Sequence, residues 1–226
     1  MGEKRRKLTP MEKAVGKNLL KSVNEFAQTT GYAIFDVDEL VEMKKKFKNE
    51  GKRISYTAIF TKAISLTLQQ CPMFNARLEG DEVIEYDDIN VGVGIDTPKG
   101  LVVAVIKKTQ DKTLYEIADD LNDVVDRARE NKLTMDDMVG GTVTVSNLIG
   151  TGSIAFSSIV NNNEAVIFGI GDIRKEPVVD DNDQIIIKNV CRINTNANHT
   201  LISGMDSVRM GVKLREIIEN PKKYLI

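Results

Sequence analysis

The only histidine of the 226-residue chain, His199, is the first residue to consider for chemistry. An imidazole has an unperturbed pKa near neutral pH, so it is the side chain most often used to move protons there. Alternation along an extended strand puts His199 at the end of a mostly apolar face, together with Cys191, Ile193, Thr195 and Ala197. Two interpretations follow. His199 is a general base, or it is a core histidine satisfied by hydrogen bonds.

A second candidate combines a hydroxyl, an amide and two glycines at the end of a predicted strand. Ser146 and Asn147 are followed closely by Gly150 and Gly152. Such a group can donate hydrogen bonds to a developing oxyanion, and the alternative is a plain β-turn. The glycine spacing matches a dinucleotide fingerprint poorly, because a strand-like run and not a helix follows it. A histidine base assisted by a serine hydroxyl is the most economical catalytic arrangement available.

A third candidate is the Asp-Thr-Pro-Lys-Gly sequence at residues 96–100. Its aspartate, Asp96, could contact a polar ligand. The alternative is simple turn chemistry, which aspartate, proline and glycine all favour.

Composition restricts the class of protein. The net charge is −2 and no basic stripe is present, so nucleic acid is not expected as a partner. Two cysteines are too few for a disulfide framework. Together with a single histidine, they support a zinc site poorly. No apolar run approaches the length of a membrane span and no signal peptide opens the chain, which predicts a cytoplasmic protein without membrane contact.

Hydrophobic periodicity predicts the elements that must position these residues. Residues 1–8 form a polar arm, and residues 9–226 show no internal boundary that would divide them. The predicted helices cover about 9–29, 38–46, 55–71, 113–128 and 203–219. The predicted strands cover about 32–37, 83–86, 89–95, 101–106, 142–146, 154–160, 165–170, 185–190 and 191–199. Helices and strands alternate without a regular βαβ rhythm, which favours α+β or a mixed-sheet α/β sandwich.

The order of several motifs resembles one known family. The residues that carry the resemblance are Phe-Asn-Ala at 74–76, the segment 90–103, the segment 140–148, Ile-Phe-Gly-Ile-Gly at 167–171 and a histidine just before the last helix. The chain resembles the catalytic domain of dihydrolipoamide acyltransferases, components of 2-oxoacid dehydrogenase complexes. It is similar, more distantly, to chloramphenicol acetyltransferase.

The resemblance implies a single-domain mixed-sheet sandwich that forms a homotrimer and can build a larger assembly. Coenzyme A, as a substrate, and a dihydrolipoamide-type thiol would enter a channel between subunits from opposite ends. By motif, His199 would be the general base and Ser146 the oxyanion donor, supplied across the subunit interface. Asp96 matches a loop near the pantetheine arm, and Asn147 adjoins the serine as a substrate-binding residue. No lipoyl or subunit-binding domain is seen, so the lipoyl group would come in trans on another protein.

The match departs from the family pattern around the base. The family signature is Asp-His-Arg-x-x-Asp-Gly, and residues 198–204 read Asn-His-Thr-x-x-Ser-Gly. Ser203 therefore stands where the family has an aspartate that pairs with a buried arginine, and by this position it is predicted as a third catalytic-site residue. The first helix also lacks the arginines common in the family, so both partners of that ion pair would be missing together, which avoids a lone buried charge. Ser203 can instead cap the last helix, with Asp206 in capping-box position.

Three functional hypotheses remain after this comparison. The leading one is transfer of an acyl group between coenzyme A and a dihydrolipoamide-type thiol. The second is a catalytically weakened trimeric scaffold or regulatory homologue, suggested by the altered loop. The third is an acyltransferase that uses a different small-molecule acceptor.

Overall fold

The computed structural model describes residues 3–97, 100–161 and 164–226. The predicted turn at 96–100 therefore lies partly outside the described residues. Along the chain the helices are α1 (Pro10–Glu25), α2 (Asp38–Asn49), α3 (Tyr56–Gln69), α4 (Leu114–Arg129), α5 (Gly204–Glu219) and α6 (Pro221–Tyr224). The strands are β1 (Gln28–Asp36), β2 (Ala76–Glu79), β3 (Glu82–Glu85), β4 (Val91–Thr97), β5 (Gly100–Ile106), β6 (Val143–Asn147), β7 (Val166–Val179) and β8 (Ile185–Asn198).

A six-stranded mixed sheet in the order β1-β8-β7-β6-β4-β5 organises the chain. Strand β6 is parallel to both β4 and β7, whereas the remaining neighbours are antiparallel. Strands β2 and β3 form a separate hairpin. The predicted mixed-sheet α/β architecture is confirmed. None of the helices among the described residues is long and apolar enough to cross a membrane.

One face of the large sheet packs against helices, and we call it the helix-covered face. Alternate residues of β6 and β7, such as Val143, Val145 and Phe168, are completely buried there with Ile59 and Ile64 of α3. Because side chains alternate along a strand, Thr144, Ser146 and Asn194 belong to the other side, which we call the opposite face. The predicted catalytic serine therefore lies on the face away from the main core.

Residues 154–160 are not a strand, and this part of the sequence analysis was wrong. This stretch belongs to the 148–161 segment, which begins with a turn and then lies against the opposite face without strand pairing. The amide of Asn196 bonds it at two points, accepting from Ser158 N at 3.4 Å and donating to Ser157 Oγ at 2.8 Å. Val160 N donates to Gln28 Oε1 at 3.1 Å. An alternating sequence cannot distinguish this arrangement from a ladder strand, because both are extended.

Three other element predictions need correction. The first helix ends at Glu25 and not near residue 29, because Gln28 already pairs with Asn198 in the sheet. The two predicted strands 185–190 and 191–199 form one strand, β8, and the short strand β2 was missed. The capping boxes predicted at Thr9, Thr113 and Ser203 are all present.

Two glycines provide a test of this packing. A Cβ at Gly171 would lie 2.1 Å from the backbone oxygen of Ile154, whereas a Cβ at Gly211 in α5 would meet nothing within 4 Å. Gly171→Ala should lower the free energy of unfolding by about 2 kcal/mol or more, since the 148–161 segment must move. Gly211→Ala should leave it unchanged or raise it by up to about 1 kcal/mol, because alanine favours a helix. Urea unfolding measures both, and equal stability of the two variants would contradict this packing.

Candidate functional site

Ser146 lies next to the last residue of β6, where the two parallel pairings of the sheet end. It is half-buried on the opposite face, and its neighbour in register on β7 is Gly169. A Cβ on Gly169 would overlap the side chain of Asn194, so this position requires glycine. Ser146 thus has a residue without a side chain as its neighbour on β7, and the space over that glycine is taken by the side chain of Asn194.

The glycine turn after Ser146 does not offer free backbone donors. Gly150 N donates to Asp172 Oδ1 at 2.8 Å, and Gly152 N donates to Asp172 Oδ2 at 2.9 Å. The turn is closed by Thr151 N, which donates to Leu148 O at 3.2 Å. Of the two interpretations of this motif, the structure shows the β-turn. The N–H groups of its two glycines already donate to the carboxylate of Asp172. The Ser146 hydroxyl is the donor that remains for an oxyanion.

Asn147 connects the end of β6 to the beginning of α3. Its Nδ2 donates to Thr57 Oγ1 at 2.8 Å, and its Oδ1 accepts from Ile149 N at 2.9 Å. Both ends of the amide are used inside the protein. These contacts hold the strand end in place, and the substrate-binding role of Asn147 stays a prediction.

His199 directly follows β8 and is exposed. Its backbone N–H donates to Ala27 O at 2.7 Å, which holds the residue at the start of a turn. Asn198 shapes that turn, because its Oδ1 accepts from Thr200 N at 3.1 Å. The alternative of a core histidine is wrong in this protomer. The imidazole is positioned by backbone contacts and is open to a ligand or to another subunit.

Ser203 performs a structural task in the same loop. Its Oγ accepts from Asp206 N at 3.2 Å and donates to Asp206 Oδ2 at 2.5 Å, while Ser203 N donates to the same carboxylate oxygen at 3.2 Å. This capping box begins α5 immediately after His199. The hydroxyl is thus committed to the helix, and a catalytic role for Ser203 stays a prediction.

The sheet register separates Ser146 from His199 within one protomer. Ser146 aligns with Gly169, which aligns with Asn194, and His199 lies five residues after Asn194, directly beyond the end of β8. Five residues span about 16 Å along a strand, and two strand spacings add about 10 Å across the sheet. The two residues are therefore about 19 Å apart, far beyond hydrogen-bond reach. A site that uses both must take them from different protomers.

Asp96 is exposed on β4 and lines a cavity of about 490 Å³. The cavity also contains Thr57, so it adjoins the end of β6 that carries Asn147. Three basic residues line it, namely Lys44, Arg53 and Arg129. The sequence analysis missed them, because they come from separate segments and share no local motif. Only the tertiary structure gathers these positive charges.

Glu164 is a buried carboxyl group that the sequence analysis did not single out, although it directly precedes an apolar run. Its Oε1 accepts from Thr144 Oγ1 at 2.8 Å and from Asn161 Nδ2 at 3.2 Å, and its Oε2 has no partner among the described residues. Burial raises the pKa of Glu164 from 4.5 to about 7, although both hydrogen bonds oppose the shift. The protonated form is therefore the stable one below neutral pH.

This carboxyl group makes stability fall as the pH rises. Between about pH 4.5 and pH 7 the folded protein binds the Glu164 proton and the unfolded chain releases it, so the free energy of unfolding decreases through that window. Glu164→Gln should remove this slope and raise stability at pH 8 by about 3 kcal/mol. The exposed Glu42 of α2 supplies the control variant Glu42→Gln. Chemical unfolding from pH 4 to pH 8 measures the slope, and an unchanged slope in Glu164→Gln would contradict the assignment.

Comparison with known proteins extends over the whole chain. Residues 1–226 match the sequence profile described as 2-oxoacid dehydrogenases acyltransferase (catalytic domain). The chain is 30% identical over 229 residues to the dihydrolipoyllysine-residue succinyltransferase component of the mitochondrial 2-oxoglutarate dehydrogenase complex of Saccharomyces cerevisiae, covering 99% of this chain and 49% of the relative. It is 31% identical over 224 residues to the lipoamide acyltransferase component of the branched-chain alpha-keto acid dehydrogenase complex of Bacillus subtilis. This match covers 97% of this chain and 53% of that relative. The chain thus spans about half the length of these relatives.

Solved structures agree with the sequence comparison. A dihydrolipoamide acetyltransferase of Azotobacter vinelandii, studied for the catalytic roles of a serine, a histidine and an asparagine, superimposes with a TM-score of 0.92 at 26% identity, covering 100% of this chain and 95% of that one. Chloramphenicol acetyltransferase superimposes with a TM-score of 0.55 at 16% identity over 89% of this chain and 94% of that one, which shows a shared fold. The resemblance predicted from the sequence is confirmed. The chain belongs to the family of 2-oxoacid dehydrogenase acyltransferase catalytic domains.

Proposed function

We propose that residues 9–226 form a coenzyme A-dependent acyltransferase domain that moves an acyl group between coenzyme A and a dihydrolipoamide-type thiol. The observation that carries this proposal is the placement of an exposed His199 and a half-buried Ser146 about 19 Å apart on one sheet. That separation suits an active site built between protomers, as in a homotrimer. The Azotobacter enzyme was studied for a serine and a histidine in its catalytic mechanism, which supports these roles; four positions after the histidine, that enzyme has an asparagine and this chain has Ser203.

The chemistry is a thioester exchange that needs one base and one oxyanion donor. The imidazole of His199 takes the proton of the attacking thiol, and the thiolate forms a new bond to the thioester carbonyl carbon. The tetrahedral oxyanion accepts a hydrogen bond from the Ser146 hydroxyl of a neighbouring protomer. The intermediate collapses by breaking the original carbon–sulfur bond, and the departing thiolate takes the proton back from the imidazolium. No net proton is gained or lost.

The cavity beside Asp96 is the proposed position of the phosphate-bearing part of coenzyme A. Lys44, Arg53 and Arg129 supply positive charge, and apolar residues such as Leu121 lie among them. Arg53 is held by a two-fold ion pair with Asp126 at 2.7 and 2.8 Å, which fixes one side of the cavity. Because the same cavity contains Thr57, the pantetheine arm can run from these charges toward the end of β6.

The acceptor, the assembly and the compartment are also proposals. The two relatives are named for succinyl and branched-chain acyl chemistry, so the acyl group stays open. A lipoyl-carrying protein would present the thiol in trans, and trimers can associate further into a larger core. We propose a cytoplasmic location, supported by the two unpaired cysteines Cys71 and Cys191.

One observation favours a second function, a trimeric scaffold that binds coenzyme A without turning it over. Ser203 stands where the family has an aspartate, and its hydroxyl is committed to capping α5. The loop that carries His199 thus keeps its fold without the family ion pair. An acyltransferase with another small-molecule acceptor is the third alternative. Acetyl transfer to free dihydrolipoamide, an acceptor screen and calorimetric binding of coenzyme A separate the three, because binding without any turnover is expected only of the scaffold.

Hybrid trimers test the shared active site. His199→Ala alone should abolish thioester exchange, and Ser146→Ala alone should lower kcat by about 10²- to 10³-fold, since one oxyanion donor is lost. In a hybrid trimer, which contains both variants, one of the three sites should combine an intact histidine with an intact serine from different protomers. We therefore expect about a third of the wild-type rate, measured as acetyl transfer by purified, doubly tagged hybrids.

Two results would contradict this arrangement. Hybrids no more active than their parents would show that the two residues do not meet across an interface. Full activity of Ser146→Ala would remove Ser146 from the mechanism. Unmixed variants carried through the same purification are the controls, and their trimer content is checked by light scattering.

A lysine pair on α2 tests the coenzyme A cavity. Lys44 lines the cavity, whereas its neighbour Lys45 is exposed and does not. Lys44→Ala should raise the KM for coenzyme A about tenfold with little change in kcat, because a phosphate contact is lost and the chemistry is not. Lys45→Ala should change neither value. With pantetheine, which lacks the nucleotide phosphates, the effect of Lys44→Ala should disappear. An unchanged KM for coenzyme A in Lys44→Ala would place the phosphates elsewhere.

A further inference from the structure

Asp172 occupies an irregular position in the sheet directly beside the turn that follows Ser146. The register between β7 and β8 shifts between Ile170 and Ile173, so Asp172 lies at a bulge. Its backbone N–H does not bond to β8 and donates instead to Ser153 O at 2.8 Å. A β-bulge changes the direction in which a side chain leaves the strand.

The carboxylate of Asp172 accepts one hydrogen bond on each oxygen. Oδ1 receives the N–H of Gly150 at 2.8 Å, and Oδ2 receives the N–H of Gly152 at 2.9 Å. Both glycines have positive φ, +88° and +81°, which other residues rarely adopt. Two N–H groups of one turn therefore converge on a single charged acceptor. Hydrogen bonds to a charged group are about twice as strong as neutral ones.

These contacts anchor the chain where it leaves Ser146. Between the serine and Gly150 lie three residues, and the first two are also fixed. Asn147 bonds to Thr57 Oγ1, and Leu148 N donates to Ile170 O at 2.9 Å. Asp172 adds the last anchor, so the whole turn is tied to β7. These anchors hold the backbone at the end of β6, so the Cα–Cβ bond of Ser146 keeps the direction that the sheet sets.

We infer that Asp172 is a positioning residue for catalysis, which acts by holding the Leu148–Gly152 turn so that the Ser146 hydroxyl keeps the geometry of an oxyanion donor. The inference rests on the proposed function, because it assumes that Ser146 is the donor. Asp172 itself does not need to touch either substrate. Its effect should appear in the rate of the chemical step and not in the binding of coenzyme A.

A double-mutant cycle between Asp172 and Ser146 tests the inference. Asp172→Ala should lower kcat by about 10- to 100-fold with a KM for coenzyme A within twofold of wild type, because a donor displaced by about 1 Å loses most of its value. Asp172→Asn keeps one acceptor oxygen, so its kcat should lie between those of the wild type and Asp172→Ala. In the Ser146→Ala background, Asp172→Ala should cause no further loss in kcat. A purely structural role predicts instead equal losses in both backgrounds.

Asp180 provides the matched control at the far end of the β7–β8 hairpin. Its Oδ1 accepts from Asn182 N and Gln184 N, both at 2.9 Å, so Asp180→Ala also removes an aspartate that holds a turn through two N–H groups. It should lower the unfolding midpoint and leave kcat unchanged. If Asp172→Ala does not fold, the isosteric Asp172→Asn carries the same cycle.

The outcomes separate this inference from the proposed function. A large loss in Ser146→Ala with full kcat in both Asp172 variants overturns the inference and leaves the proposed function intact. Full kcat in Ser146→Ala overturns the oxyanion role of the serine and the inference with it. Equal losses from Asp172→Ala in both backgrounds also overturn the inference.

Discussion

The register of the central sheet is the constraint on which the proposed chemistry depends. Strand β6 ends beside Ser146, and the antiparallel hairpin of β7 and β8 carries His199 beyond the point where Asn194 aligns with Gly169. A shift of one residue would turn every side chain of a strand to the other face. The buried valines of β6 and β7 on the helix-covered face resist such a shift. Core packing thus holds the two proposed catalytic residues apart within one protomer, so the proposed site requires a second protomer.

The opposite face of the sheet is stabilised in a different way. Asn194 and Asn196 are both buried there, and Asn196 makes side-chain contacts to the 148–161 segment in place of backbone pairing. The orientation of these amides follows from one fixed donor, the backbone N–H of Ser158, which makes Asn196 Oδ1 an acceptor for Asn194 Nδ2 at 2.6 Å. Each such bond contributes about 1 kcal/mol, and leaving a member unpaired costs at least as much. Side-chain hydrogen bonds of Asn196 therefore hold the 148–161 segment, which does not pair as a strand of the sheet.

The loop of the base shows how a family signature can change while the fold is retained. An aspartate in the family position would bring a charge that needs a buried arginine. Ser203 instead satisfies the first turn of α5 through a capping box, which contributes about 1 kcal/mol without a buried charge. His199 keeps its place through Ala27 and Asn198, which do not depend on the lost ion pair. Stability and catalytic geometry thus rest on separate contacts in this loop.

Local chemistry was enough to predict much of this protein from sequence. The capping boxes at Thr9, Thr113 and Ser203 involve residues three apart, so local spacing reveals them. The mixed sheet also follows from hydrophobic periodicity and the family from the order of the motifs. The single histidine is a matter of composition. The segment 154–160 was misassigned, since alternation does not state whether an extended chain pairs at an edge or lies on a face.

Tertiary structure alone decided the remaining features, because they join residues far apart in the chain. Asp172 and Gly150 meet through a bulge that no local pattern announces, and Lys44 and Arg129 reach one cavity from different helices. The buried carboxyl group of Glu164 accepts hydrogen bonds from Thr144 on β6 and from Asn161. The distance between Ser146 and His199 is a property of register across three strands. Sequence determined which residues are the candidates for the reaction, and the fold determined that these candidates lie apart within one protomer.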